Sequence, residues 1–182
     1  LFPGASAKAA VESGMRAVVS RGLVGSEGGQ KRLEDQFKEI EEWSGYDNIG
    51  FMLAPHAIYT CDKEYLLKIS GEAKRLGLII ALTDHNTARN CPAVEKAAKE
   101  NGLTFVPGME LCTAEEIHTV CLFPTLEKAL DFSDYVKSTM PMVKNDESIF
   151  GNQYIMDHTD KILGSEEILL TLASSISIDD VV

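Results

Sequence analysis

The chain has 182 residues, of which 45% are hydrophobic, and a formal net charge of -11. This balance is typical of a folded globular protein, and its acidity argues against nucleic acids or anionic membranes as partners. No apolar run approaches the roughly 20 residues of a membrane-spanning helix, and the N-terminal residues lack the basic and apolar regions of a secretory signal.

The first half of the chain alternates helix and strand patterns. We expect a short helix over residues 5–13 ending at Gly14, then an apolar strand in "MRAVVSRGL" and the glycine-rich loop "VGSEGGQ". An amphipathic helix follows over 31–43, and "NIGFMLAP" is the next strand. Asp62 is placed to cap a helix that ends at about Leu76.

The second half continues the alternation and then changes character. The apolar strand "LIIALTD" is followed by a helix that has Pro92 in its first turn and ends near Asn101. "LTFVPGMEL" and "IHTVCLFP" predict two more strands, and Thr125 is placed to cap the next helix. "YIMDHTDKILG" predicts a β-hairpin, followed by a helix at 165–172.

Helices that alternate with apolar strands indicate the α/β class and a mostly parallel sheet. We expect a single domain over 1–182 and, since five such strands are too few for a closed eight-stranded barrel, a partial barrel or an open sheet. Right-handed crossovers would bring the carboxyl ends of the strands to one edge, where such folds place their chemistry.

The charge is distributed unevenly along the chain, and the cysteines are not arranged in pairs. Residues 1–78 carry ten Lys and Arg against eleven Asp and Glu, whereas residues 79–182 carry seven against seventeen. The cysteines occur singly, without a Cys-x-x-Cys pair, at Cys61, Cys91, Cys112 and Cys121. We therefore expect reduced thiols and a cytoplasmic location.

Ionisable residues follow or end the predicted strands. They are Arg21, His56, Asp84, His85 and Glu110, and His118 lies near the start of the following strand. Histidine and carboxylate groups from separate strands could hold one divalent ion such as zinc, iron or manganese. The alternative is structural, because a single histidine at a strand end is more often a hydrogen-bonded residue than a ligand.

Residues 5–77 resemble one known family. "GMRAVVSRGL", "KRLED" and "FMLAPHAIYTCDKEYLLKISGEAKRLG" are similar to the middle βα units of cytosine-deaminase-type amidohydrolases, especially methylthioadenosine/S-adenosylhomocysteine deaminases. The resemblance implies that Arg21, Arg32 and His56 contact substrate. The metal-ligand motifs of that family fall outside this stretch.

Residues 78–182 resemble another family, the polymerase-and-histidinol-phosphatase (PHP) domain. The motifs that carry the resemblance are "IIALTDHNT", "FVPGMEL" and "EEIHTVCLF". They imply metal ligation by His85, Glu110 and His118, with Asp84 as a neighbour or further ligand. The opening His-x-His motif and the later ligands of that family are missing.

The change of resemblance near Gly77 predicts a chimera of two βα-barrel segments, built by design. On this hypothesis the protein has no evolved catalytic activity, and its open strand edges favour a homodimer. The alternative is a weak metal-dependent hydrolase of the PHP phosphoesterase type, which uses the remaining metal ligands. His56 would then be a fourth ligand or a general base.

Overall fold

The computed structural model describes residues 4–25, 28–56 and 60–181. The chain forms two compact units, one over Leu1–Ile80 and the other over Ala81–Val182. Each unit is described by itself below. In the described part of the chain, no helix combines the length and the apolar character that crossing a membrane requires.

The described residues of the first unit form three helices and four short strands. In chain order they are α1 (Ala5–Ser13), β1 (Ala17–Val19), β2 (Gly22–Leu23), α2 (Gly29–Trp43), β3 (Ile49–Phe51), β4 (Ala54–Pro55) and α3 (Lys63–Arg75). Strand β1 pairs with β3 and β2 pairs with β4, both in parallel. Each of the two predicted strands is therefore divided into two short ones.

Local sequence signals set the helix ends of this unit. Gly14 has a φ of 71° at the end of α1, a conformation that glycine adopts at little cost. At the start of α3, the Asp62 carboxylate accepts a hydrogen bond from the Tyr65 backbone N–H at 2.8 Å. Tyr65, Ile69 and Ala73 then point into the core, as the helical period predicts.

The second unit begins at strand β5 (Ile80–Leu82), whose first residue closes the first unit. It continues with α4 (Cys91–Glu100), β6 (Phe105–Cys112), β7 (His118–Leu122), α5 (Leu126–Thr139), α6 (Glu147–Phe150), β8 (Tyr154–Met156), β9 (Ile162–Ser165) and a 3-10 helix at Ile178–Asp180. Strands β5, β6 and β7 form one sheet in that order, and β6 and β7 are antiparallel.

The two faces of this sheet differ. Met109 and Leu111 of β6 are fully buried and pack in one core with Ala129 and Val136 of α5. Side chains alternate between the faces of a strand, so Glu110 lies on the opposite face. Val120, which is paired with Glu110, is 57% exposed. Helices therefore cover one face of the sheet, whereas the other face, the open face, is exposed around Glu110 and Val120 and buried at Cys112.

The predicted helix at 165–172 does not form. The backbone of this segment bonds with other segments: the Glu166 N–H donates to Gln153 O and the Leu169 N–H to Val143 O. The Gln153 side chain also donates to the Glu166 and Ile168 carbonyls. Backbone groups satisfied by distant partners are not available for the hydrogen bonds of a helix, so tertiary contacts overrode the local pattern.

The α/β class is confirmed, and so is the C-terminal hairpin, which β8 and β9 form. The described residues form four small sheets with parallel and antiparallel pairs and contain no closed barrel. The prediction of one mostly parallel sheet is therefore too simple, because β6 and β7 reverse direction through a tight turn. Descent from a βα barrel stays a prediction.

Candidate metal centre

Three neighbouring segments of the second unit deliver His85, Glu110 and His118 to the open face of the sheet. His85 follows β5 and forms a parallel bridge with Glu110 of β6. In the antiparallel pair β6–β7, Glu110 is opposite Val120, so His118 is its diagonal neighbour on the same face. Residues far apart in sequence thus meet because of the strand register.

The side-chain atoms of this group lie close together. The Nδ1 atom of His118 is 2.7 Å from Oε1 of Glu110, and Nδ1 of His85 is 3.8 Å from Oε2. The two imidazole rings stand nearly perpendicular, with centroids 5.4 Å apart. One ligand atom from each of the three residues can be chosen so that all lie within 4.8 Å of one another.

This group fits a divalent metal ion. Its donor set, two imidazoles and a carboxylate, is one that zinc and similar ions prefer. The Nδ1 atom of His85 is buried and has no hydrogen-bond partner among the described residues. Such an atom is costly to bury unless it gains a partner, and an ion between His85 and Glu110 would provide one. His118 and Glu110 remain partly exposed, which leaves a side open to solvent.

Asp84 lies outside this group of three. Its carboxylate accepts a hydrogen bond from Nδ2 of Asn90 at 3.1 Å, and its backbone carbonyl accepts one from the Glu110 N–H. Burial raises the pKa of the Asp84 carboxyl, while the hydrogen bond from Asn90 and the proximity of His85 act in the opposite direction. Its role as a further metal ligand stays a prediction.

The candidate substrate residues of the first unit have different partners. Arg21, between β1 and β2, is 3.7 Å from the Glu39 carboxylate, and its Nε is buried without a hydrogen-bond partner among the described residues. Arg32 lies on the exposed side of α2. His56 follows β4, and its Nδ1 is 3.0 Å from the Thr60 hydroxyl. Their roles in substrate binding stay predictions.

Sequence reasoning did not single out two asparagines beside the metal group. Asn90 joins Asp84 to strand β8: its Nδ2 also donates to the Tyr154 carbonyl, and its Oδ1 accepts from the Met156 N–H. Asn86 follows His85 and is 1% exposed. The signal was present in "TDHNTARN", since asparagine directly after a strand often adopts special backbone angles or pairs with distant backbone groups.

Comparison with known proteins gives partial matches to one kind of enzyme. A protein named 5-methylthioadenosine/S-adenosylhomocysteine deaminase from Carboxydothermus hydrogenoformans is 36% identical over 118 residues, which is 63% of this chain and 27% of that protein. Proteins with the same name from Thermotoga maritima and Pelotomaculum thermopropionicum are 38% identical over 87 residues and 43% identical over 74 residues. No family model matches the chain.

The extent of these matches has two consequences. The chain spans about a quarter or less of the length of these three relatives, with shares of 27%, 21% and 17%. The first match covers 63% of the chain, which is more than either compact unit contains. It therefore includes residues of both units and continues across the position near Gly77 where the sequence patterns predicted a junction.

The comparisons contradict the functional expectation drawn from the sequence. The hypothesis of a designed chimera without evolved activity is wrong, because enzymes of several bacteria are 36% to 43% identical to this chain over the matched stretches. Those relatives are named as deaminases, and not as phosphoesterases. The amidohydrolase-like resemblance is confirmed for part of the chain, whereas the PHP resemblance stays a prediction.

Proposed function

We propose that this chain is part of a metal-dependent hydrolase, with His85, Glu110 and His118 as the ligands of one divalent ion. The observation that carries the proposal is the convergence of these side chains from three segments on the open face of one sheet. The finer assignment of the second unit to the PHP type belongs to the same proposal. It is supported by the motifs around the three ligands.

The chemistry follows from the donor set. When bound by His85, Glu110 and His118, a divalent ion would supply an activated water for hydrolysis. The chain's own residues would hold the ion with two neutral imidazoles and one negative carboxylate. The exposed side of His118 and Glu110 leaves room for water and substrate, as a catalytic site requires.

The names of the relatives favour hydrolytic deamination as the reaction. In that reaction water adds to the ring carbon that carries the amino group, the carbon–nitrogen bond breaks, and ammonia leaves while the ring keeps the oxygen. The second unit is well suited to the hydrolytic part of this chemistry.

Metal content tests the proposal directly. The protein is purified without chelators or nickel resin, and bound zinc, iron and manganese are measured by elemental analysis. We expect about one ion per chain in the wild type and in His158→Ala, a control histidine in the turn between β8 and β9. His118→Ala should lose the ion. Metal-free wild type, or equal content in both variants, would contradict the proposal.

The reaction is tested with the metal-loaded protein and 5-methylthioadenosine as the probe. Release of ammonia that depends on the ion and disappears in His118→Ala supports deamination. If the ion is bound but no ammonia is released, deamination by this chain is wrong while the metal site stands.

Binding of an adenosine analogue by the first unit is a second candidate function. It is supported by the relatives' names and by the buried Nε of Arg21, a hydrogen-bond donor that lacks an acceptor among the described residues. Isothermal titration with 5-methylthioadenosine tests it. Arg32→Ala should weaken binding, whereas Lys38→Ala, which removes an exposed charge from the same helix, should not.

A further inference from the structure

Asn86, the residue after His85, makes four hydrogen bonds to two other segments of the second unit. Its backbone N–H donates to the Glu110 carbonyl at 2.9 Å, and its Oδ1 accepts from the Cys112 N–H at 2.9 Å. Its Nδ2 donates to the carbonyls of Leu170 at 2.8 Å and Leu172 at 2.9 Å. Every donor of the residue is therefore used.

The position requires asparagine for two reasons. Asn86 has a φ of 50°, in the left-handed region that asparagine tolerates better than most residues. It is also 1% exposed, so its amide must find partners within the protein. Only an amide side chain of this length offers one acceptor to Cys112 and two donor hydrogens to the carbonyls of the C-terminal segment.

The bonds of Asn86 fix the register of the metal group. Both backbone polar groups of Glu110 are hydrogen-bonded, since its N–H donates to Asp84 O and its carbonyl accepts from the Asn86 N–H. His85 lies between Asp84 and Asn86 in sequence and forms a bridge with Glu110. A shift of Asn86 would therefore move His85 relative to Glu110, although the side-chain hydrogen bonds of Asn86 go to neither of these residues.

We infer that Asn86 is a positioning residue of the metal centre, through which the C-terminal segment at Leu170 and Leu172 sets the distance between His85 and Glu110. This inference rests on the proposed metal site. It implies that a segment more than 80 residues away in sequence is needed for metal affinity. Residues that orient metal ligands typically change affinity by about 10- to 100-fold when they are replaced.

Cobalt binding tests the inference, because visible absorption of Co²⁺ reports both affinity and ligand geometry. We expect Asn86→Asp and Asn86→Gly to bind Co²⁺ about 10- to 100-fold more weakly than the wild type, with an altered spectrum. Both substitutions tolerate a positive φ. The aspartate loses the two donors, and the glycine loses the whole side chain.

Ser174→Ala is the matched control. The Ser174 hydroxyl donates to the Cys112 carbonyl at 2.8 Å and is buried, so its loss also removes a bond between the C-terminal segment and β6. Among the described residues, the Ser174 side chain forms hydrogen bonds with Cys112 and Ile176 and with neither His85 nor Glu110. We expect Ser174→Ala to lower stability to urea while its cobalt affinity and spectrum match the wild type.

Exchange of amide hydrogens in the wild type gives a readout that does not depend on variant folding. Zinc binding should slow exchange of the Asn86 side-chain amide and of the Cys112 N–H, because the ion and these bonds stabilise the same arrangement. Wild type that binds no cobalt overturns both the metal site and this inference. Wild type that binds cobalt, with unchanged exchange or with equal affinity in a folded Asn86 variant, overturns the inference alone.

Discussion

The Nδ1 atom of His118 lies 2.7 Å from Oε1 of Glu110, across the antiparallel strands β6 and β7. Glu110 is the carboxylate among the three candidate ligands, so an ion at this site would bind the same side chain that His118 contacts. Glu110 is also the group that faces His85. Glu110 is therefore the one of the three residues whose side chain lies close to both of the other two.

Replacing Glu110 by glutamine removes the negative charge and keeps a carbonyl oxygen. We expect Glu110→Gln to weaken Co²⁺ binding at least about tenfold, because a neutral amide is a poorer ligand for a divalent ion than a carboxylate. Titration followed by visible absorption measures the change. Glu116→Gln, the same change of charge in the turn between β6 and β7, should leave the affinity unchanged, and a similar loss there would indicate a general effect of charge.

Glu166 is a buried carboxylate that forms ion pairs with two partly exposed cations. Its carboxylate is 3.2 Å from Nε of Arg89 and 2.7 Å from Nζ of Lys137, and its side chain is 4% exposed. Glu166→Ala should lower the free energy of unfolding by about 2 kcal/mol. This is less than breaking a fully buried pair costs, since both cations keep contact with water.

Urea unfolding measures that difference. The neighbouring Glu167→Ala is the control, because Glu167 is exposed and its substitution should change stability by less than about 0.5 kcal/mol. Equal effects of the two substitutions would show that the ion pairs of Glu166 make no net contribution to stability.

The Glu115 carboxylate bonds to the start of the C-terminal 3-10 helix, and we expect these bonds to weaken in acid. Hydrogen bonds from the Ser177 hydroxyl, from Thr113 and from the Ile178 N–H lower the pKa of its carboxyl from 4.5 to about 2. A carboxyl with a depressed pKa in the folded state contributes stability above the unfolded value, and loses that contribution as pH falls from about 4.5 to about 2.

Melting temperatures of the wild type and Glu115→Gln should therefore differ at pH 6 and converge toward pH 2. A carbon-13 titration of the Glu115 carboxyl gives a direct check, with an expected midpoint near 2 that rises in Ser177→Ala. A midpoint near 4.5 in the wild type would mean that these hydrogen bonds do not hold the carboxylate.

Gly108 lies in the middle of the sheet that carries the metal group. A Cβ atom there would be 2.9 Å from Cys121 O and Leu122 Cδ2, and 3.1 Å from Leu82 O, so strands on both sides would have to move. Gly108→Ala should lower the free energy of unfolding by about 2 kcal/mol. Gly164→Ala in β9, where a Cβ would meet no atom within 4 Å, is the control and should show a much smaller loss in the same urea measurement.

The sequence by itself determined the features that depend on near neighbours along the chain. Asp62 and Thr125 cap their helices as predicted, with bonds to N–H groups three residues away. Gly14 ends the first helix for a similarly local reason. The α/β alternation and the turn between β8 and β9 follow from apolar periodicity and turn residues, which also act over a few positions.

Only the tertiary structure decided how those elements pair. Nothing in the sequence near 165–172 shows that the Gln153 side chain bonds to the carbonyls of Glu166 and Ile168, so a helix was predicted where the segment forms none. Nor does the sequence show that the side-chain amide of Asn86 donates hydrogen bonds to the carbonyls of Leu170 and Leu172. The candidate metal ligands could be named from their motifs, but whether these side chains meet depends on strand register. Register is set by the packing of whole segments and not by any short stretch of sequence.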